Sequence, residues 1–270
     1  MKKQNVLEAC RTNLKSFQET IKDEAYQARG ILNSEALLIV SLASYYKVKL
    51  IIESGRARGN STNLIAKFFD EKPDVKVISI DYEQNEDTKY SEELLKKYNN
   101  VETIYGDSHE ELPKLVSEDC VVFIDGPKDE SAIELTSKLL ETKKVKAVLV
   151  HDLYRSKFIR DVCERIFTNS FFTDDIDFVN EFKDLDDDCW EQLAQRGDKP
   201  YQINGKELYS YGPTIGVFFN SDNPFSEPSY SNYLEHKKKI SPTLKKLVLY
   251  KFDENSLFFK LMRSVYRVFK

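Results

Sequence analysis

Five times in succession in this chain, a short apolar run gives way to a helical stretch, and that rhythm leaves few folds open. KLIIES precedes TNLIAKFF, VKVISID precedes SEELLKKY, VETIYGD precedes HEELPKLV, CVVFIDG precedes SAIELTSKLLE, and KAVLVHD precedes SKFIRDVCERIF. Residues 121–124 and 148–150 are apolar at consecutive positions, as strands buried on both faces require. The expected class is α/β: a Rossmann-like, doubly wound, mostly parallel sheet between helical layers. A helical pattern from Val6 to about Tyr46 forms an N-terminal cap, whose second helix opens with Asn33 or Ser34 as N-cap. The β-branched and aromatic run GPTIGVFFN predicts a late antiparallel strand at the sheet edge. The domain organisation read from this pattern is a helical cap over 1–47, a Rossmann-like domain over 48–222 and an extension over 223–270.

Charge is unevenly spread. The net charge of -5 over 270 residues gives no general case for nucleic-acid binding. Residues 174–199 hold ten acidic residues against three basic, a pattern that reads as an exposed insertion. From Lys237 onward the balance inverts, with ten Lys or Arg against two acids. There Leu257, Phe258, Leu261, Met262, Val265 and Phe269 share one helical face, and Lys260, Arg263, Arg267 and Lys270 the other. Such a basic helical C-terminal extension suits peripheral contact with an anionic membrane, docking in a homo-oligomer, or packing on the protein's own core. Cys10, Cys120, Cys163 and Cys189 form no CxxC pair, and Cys120 and Cys163 fall on apolar faces. The first residues lack an apolar run, and no stretch approaches the roughly 18 apolar residues of a membrane span, so a cytoplasmic protein is expected.

Each strand ends in polar or acidic residues: Glu53, Asp81, Asp107, Asp125 and the pair His151 and Asp152. Any one of them is an ordinary N-cap or turn former. Together they converge beyond the carboxyl ends of the strands, where open α/β sheets bind ligands. After the first strand, Gly55 and Gly59 flank Arg56 and Arg58, and a helix starting near Asn60 and Ser61 turns free N–H groups toward the loop. The segment matches neither GxGxxG nor GxxxxGK[ST]. Asp125 at the end of the fourth strand, with His151 and Asp152 at the end of the fifth, suits a divalent ion such as Mg2+ or Mn2+ held by the two carboxylates. A metal-free site with His151 as general base is the other reading. Trp190, Tyr201, Tyr209 and Tyr211 suit either an acceptor pocket or the packing of a lid.

Glu53-x-Gly55 with Gly59-x-Ser61, Asp81 closing the second strand, Gly106-Asp107-Ser108 after the third and Ile124-Asp125-Gly126-Pro127 after the fourth together resemble the class I S-adenosylmethionine-dependent methyltransferases. The ExGxxxGxS spacing and the His-Asp pair look most similar to the small-molecule and sugar O-methyltransferase branch related to cephalosporin hydroxylase. The resemblance spans roughly residues 34–220. It implies that Glu53, Gly55, Gly59 and Ser61 hold the methionine moiety, Asp81 the ribose hydroxyls, and Asp107 and Ser108 the adenine. It also implies methyl transfer to a hydroxyl of a small molecule or glycan, with His151, Asp152 and Asp125 preparing the oxygen. Arg56 and Arg58 depart from the pattern: they reach an anionic substrate group, or point to solvent and pair with nearby acids. The alternative is a Rossmann-like nucleotide- or nucleoside-binding protein without methyltransferase activity.

Overall fold

The computed structural model describes residues 1–26, 30–72, 74–128, 130–153, 157–195, 202–203, 206–207, 215–222 and 224–226. The basic tail and the tyrosines at 201, 209 and 211 lie outside them, as does the side chain of Trp190. The chain divides into a unit over Met1–Pro224 and a second over Phe225–Lys270.

In the first unit, α1 (Lys3–Ile21) and α2 (Asn33–Tyr46) lead into β1 (Leu50–Ser54), α3 (Asn60–Phe68), β2 (Lys76–Asp81), α4 (Glu86–Leu95), β3 (Val101–Tyr105) and α5 (Ser108–Leu115). Then come β4 (Cys120–Ile124), α6 (Glu130–Leu140), β5 (Val145–Val150), α7 (Lys157–Ile166), β6 (Ser170–Phe172) and α8 (Ile176–Phe182). A 3-10 turn (Lys183–Asp186), α9 (Asp187–Gln195), a short β7 (Gln202–Ile203) and β8 (Lys206–Glu207) pair, and β9 (Gly216–Phe219) complete it. The seven-stranded sheet runs β3-β2-β1-β4-β5-β9-β6, parallel from β3 to β5 and antiparallel at β9. Strand order reverses between β1 and β4, which is the switch point where doubly wound sheets open a crevice.

Every residue of β1, β4 and β9 is buried, as strands covered on both faces must be. Helices α2 and α3 pack on one face, with α1 outside them, and α5 and α6 pack on the other. The core joins Val6, Cys10 and Phe17 of α1 and Leu37, Leu38 and Leu42 of α2 to Ile51, Val77, Val121 and Leu149 of the sheet. Cys120 and Cys163 are buried thiols, as their apolar surroundings predict.

Three local expectations are corrected. The GPTIGVFFN strand is not at the edge: β9 lies between β5 and β6, and the three-residue β6 takes the edge. The reason is composition, since Val217, Phe218 and Phe219 need cover on both sides. The acidic stretch is not an exposed insertion either. Phe178, Val179 and Phe182 of α8 are buried, and the aromatic pair Phe178–Phe182 packs on the main core. Asp177 and Glu181 lie on the exposed face of α8, while Asp186 in the turn that follows is buried. Finally, neither Asn33 nor Ser34 caps α2. The N-cap position is Leu32, whose N–H donates to the Glu35 carboxylate at 2.9 Å, and Asp186 accepts from Ser34 N at 2.8 Å and Ser34 Oγ at 2.6 Å. Carboxylates from N3 and from a distant turn thus satisfy donors that a cap side chain would otherwise take.

Candidate functional site

The sheet ladder continues past the strand ends and fixes the rim. Gly55 N donates to Ile80 O at 2.9 Å, Asp125 N to Ser54 O at 2.8 Å, His151 N to Ile124 O at 2.9 Å and Gly106 N to Asp81 O at 3.0 Å. Gly55 has φ +93°, and a Cβ there would lie 2.8 Å from the backbone carbon of Asp125, so only glycine lets the β1 and β4 loops touch. Gly59 (φ +79°) opens α3, and Ala57 holds φ +43° between them. Gly126-Pro127 is a cis peptide in the β4 loop.

Glu53 is fully buried, and its carboxylate accepts from Ser61 Oγ, Thr62 Oγ1 and, at 2.7 Å, Ser79 Oγ. Burial pushes its carboxyl above the ordinary range, and the three hydroxyls pull the other way. The residue therefore braces β1, β2 and the first turn of α3 against one another. Ser61, 5% exposed, is part of the same brace. Asp81 sits at the rim with Oδ2 accepting from Ala57 N at 2.8 Å and Oδ1 from Glu83 N at 2.9 Å. Each oxygen retains a lone pair, so the carboxylate fixes the loop and can still take hydroxyl donors. Asp107 caps α5 through His109 N at 2.8 Å. Ser108 Oγ lies 2.6 Å from Ser54 Oγ, and with one hydroxyl donating to the other and the second to Gly126 O the cluster ties three loops together.

The two loop arginines part company. Arg58 is half-exposed, pairs with Asp87 at 2.8 Å and lies over the Tyr90 ring, which is the ion-pair alternative. Arg56 does not point to solvent, and its acidic neighbour, Glu92, stands off at 4.0 Å. The arginine is 2% exposed and runs under the loop, donating to Ser91 Oγ at 3.0 Å, Ser79 O at 2.7 Å and Ile104 O at 3.3 Å. Carbonyls at the ends of β2 and β3 hold the guanidinium in place of a substrate anion.

At β4 and β5 the rim is built from charges. His151 Nδ1 lies 2.7 Å from Asp125 Oδ1, and Nε2 lies 3.4 Å from Glu35 Oε2. Burial would lower the imidazole pKa, but Asp125 and Glu35 outweigh it and raise it well above its ordinary value. Burial would likewise raise Asp125, but His151 and Lys128 prevail and hold it low. Lys128 Nζ lies 2.9 Å from Asp125 Oδ1 and also bonds Asp152 Oδ2. Its partners outweigh desolvation and raise its pKa. Asp152, 4% exposed, holds φ +60°, a backbone position that marks a constrained rim residue.

Asp125, His151 and Asp152 offer ligand atoms all within 4.8 Å of one another. As placed, they do not fit a divalent ion: both His151 nitrogens face carboxylates, and the Lys128 ammonium fills the gap between the two aspartates. Glu35 and Lys128 are the rim residues that reading the sequence misses. The available signals are a lone acid opening the apolar helix NSEALLIVSLASYY and a lysine three residues after Asp125.

The strand order and the β1 to β4 switch point define a doubly wound α/β fold, with Asp81, Ser108 and Asp125 placed at or just beyond the carboxyl ends of β2, β3 and β4. Residues 52–153 match the family described as "Methyltransferase domain". The matched segment runs from β1 to Leu153 beyond β5 and contains the strand ends at Glu53, Asp81, Asp107, Asp125 and His151. No curated protein matches the chain. Among solved structures it is similar to a Podospora anserina methyltransferase bound to S-adenosylhomocysteine, with 15% identity over 81% of this chain and 95% of that one, TM-score 0.43. It is also similar to a Streptomyces achromogenes O-methyltransferase of tomaymycin synthesis in complex with S-adenosylmethionine, with 17% identity over 78% and 88%, TM-score 0.42. A Bacillus cereus O-methyltransferase in complex with S-adenosylhomocysteine matches at 15% identity over 80% and 90%, TM-score 0.41. No helix among the described residues is long and apolar enough to cross a membrane.

Proposed function

We propose that the protein transfers a methyl group from S-adenosylmethionine to a hydroxyl of a small molecule or glycan. The observation that carries this reading is Asp81: a rim carboxylate at the end of β2, anchored by two backbone N–H groups, with lone pairs left for a ribose diol. The loop containing Gly55 and Gly59 would lie against the methionine moiety, with Glu53 and Ser61 shaping it from beneath. Asp107 and Ser108 would border the adenine. The sulfonium would then face the β4 and β5 rim.

The reaction is a displacement at the methyl carbon: the acceptor oxygen forms the O–C bond as the C–S bond breaks, and the hydroxyl proton leaves to a rim group. Catalysis of such a step rests mainly on holding oxygen, methyl carbon and sulfur in line. Asp125 and Asp152 are carboxylates that can receive the proton, and Lys128, the least buried member of the network, can hold the oxygen by hydrogen bonding. His151, engaged at both nitrogens, would act by fixing Asp125.

Calorimetric titration with S-adenosylmethionine and S-adenosylhomocysteine tests the reading. Saturable binding of both, weakened roughly 100-fold in Asp81→Ala, is expected from the loss of a charge-assisted contact to a diol. Binding of neither ligand overturns the reading and returns attention to nucleotides.

A further inference from the structure

We infer that Lys128 is the resident cation of the Asp125 and Asp152 pair, so that this rim meets its acceptor with a tethered ammonium where a divalent ion would otherwise sit. The inference concerns the same crevice as the proposed reaction but does not depend on the cofactor. It starts from space. The three candidate ligand atoms lie within 4.8 Å of one another, and Lys128 Nζ occupies the gap, 2.9 Å from Asp125 Oδ1 and bonded to Asp152 Oδ2. A magnesium or manganese ion approaches carboxylate oxygens at roughly 2.0–2.2 Å. An ion between the same two carboxylates and the ammonium cannot share that volume.

The donor set points the same way. A divalent ion needs a neutral imidazole nitrogen with a free lone pair, or a further oxygen. His151 offers neither nitrogen, because Asp125 holds Nδ1 and the Glu35 carboxylate from the cap helix faces Nε2 at 3.4 Å. Glu35 is 1% exposed and Asp152 4%, so these side chains have little room to turn toward an incoming ion. The Lys128 ammonium, three residues along from Asp125, is present at a high effective concentration that free ions in solution lack.

The arrangement has a chemical use. An ammonium has three N–H donors, and two point at Asp125 and Asp152. Lys128 is 40% exposed, so the third can reach a ligand. It would donate to the lone pair of a hydroxyl, phenol or carboxylate oxygen of the acceptor, orienting it beside the two carboxylates. Among the described residues, the acids Glu35, Asp125 and Asp152 face His151 and Lys128, so the chain itself supplies cations to this rim.

Manganese binding, followed by electron paramagnetic resonance, decides the matter on four proteins: the wild type, Lys128→Gln, Lys128→Met and the double variant Lys128→Gln with Asp152→Asn. The expected result is no saturable site in the wild type, one site in each single variant that is roughly tenfold or more tighter than any wild-type binding, and its loss in the double variant. Each sample is also titrated with S-adenosylhomocysteine, which reports fold and cofactor site separately, so failure of one reading is distinguishable from failure of the other. Saturable manganese binding to the wild type that the double variant loses would overturn the inference. So would single variants that bind manganese no better than the wild type.

Discussion

The rim above β1 to β3 and the rim above β4 and β5 solve the burial of charge in opposite ways. On the first, neutral dipoles make the short contacts to each buried charge: three hydroxyls to Glu53, two backbone N–H groups to Asp81, and two carbonyls and a serine to Arg56, whose acidic neighbour Glu92 lies farther off at 4.0 Å. On the second, charge answers charge, from Glu35 through His151, Asp125 and Lys128 to Asp152. Dipoles fixed to the backbone make a rigid cradle, suited to a ligand whose shape does not change. Paired ions can exchange partners when a substrate oxygen arrives, at the cost of desolvation that the pairing must offset. The proposed reaction gives the first rim the holding role and the second the reacting role.

Gly55 is where the two rims touch, so it tests their contrast most severely. Gly55→Ala places a Cβ 2.8 Å from the Asp125 backbone at φ +93°, and the expected loss is about 4 kcal/mol of unfolding free energy, combining backbone strain and overpacking. Urea denaturation measures it. A loss below about 1 kcal/mol would mean that the loops part easily and that the rims are not mechanically joined.

A smaller effect sharpens the picture of the charged side. Asp186, buried beneath the start of α2 and facing Ser34 and Glu35, has its carboxyl pushed up to about 7, first by burial, with the Ser34 bonds opposing and Glu35 adding to the rise. A small cavity beside it, lined by Glu35, Lys183, Thr173 and Phe178, borders the same group. Because the folded-state value lies above the unfolded one, its stabilising contribution is full below about pH 4 and is lost as the pH rises toward 7. The stability difference between wild type and Asp186→Asn should therefore shift in favour of the variant by on the order of 2–3 kcal/mol between pH 4 and pH 8. Denaturation of both proteins across that range checks it, and parallel stability curves would contradict it.

The contrast also marks what a sequence discloses. The sheet was readable because buried parallel strands are apolar on consecutive residues, and the Glu53, Asp81 and Asp125 positions because ligands of doubly wound sheets sit past strand ends. Arg56 stood out as a cation in a glycine loop, yet nothing local indicates that it dives beneath the loop to carbonyls of β2 and β3. Glu35 reads as a helix-opening acid, and only the packing of α2 across β4 and β5 carries it to His151. Lys128 reads as a solvated turn residue until Asp125 and Asp152 are seen on either side of it. The acidic segment misled because its charges outnumber the three apolar residues that anchor α8. Partners brought together by tertiary packing leave no mark on local pattern.

The central claim, that the quiet rim holds the cofactor and the charged rim meets the acceptor, is tested most directly by the crystal structure of the complex with S-adenosylhomocysteine. The account predicts ribose hydroxyls on Asp81, adenine beside Asp107 and Ser108, and the sulfur opening toward Asp125 and Lys128. A ligand bound away from the β1 to β4 switch point, or one whose sulfur faces away from Lys128, would contradict it.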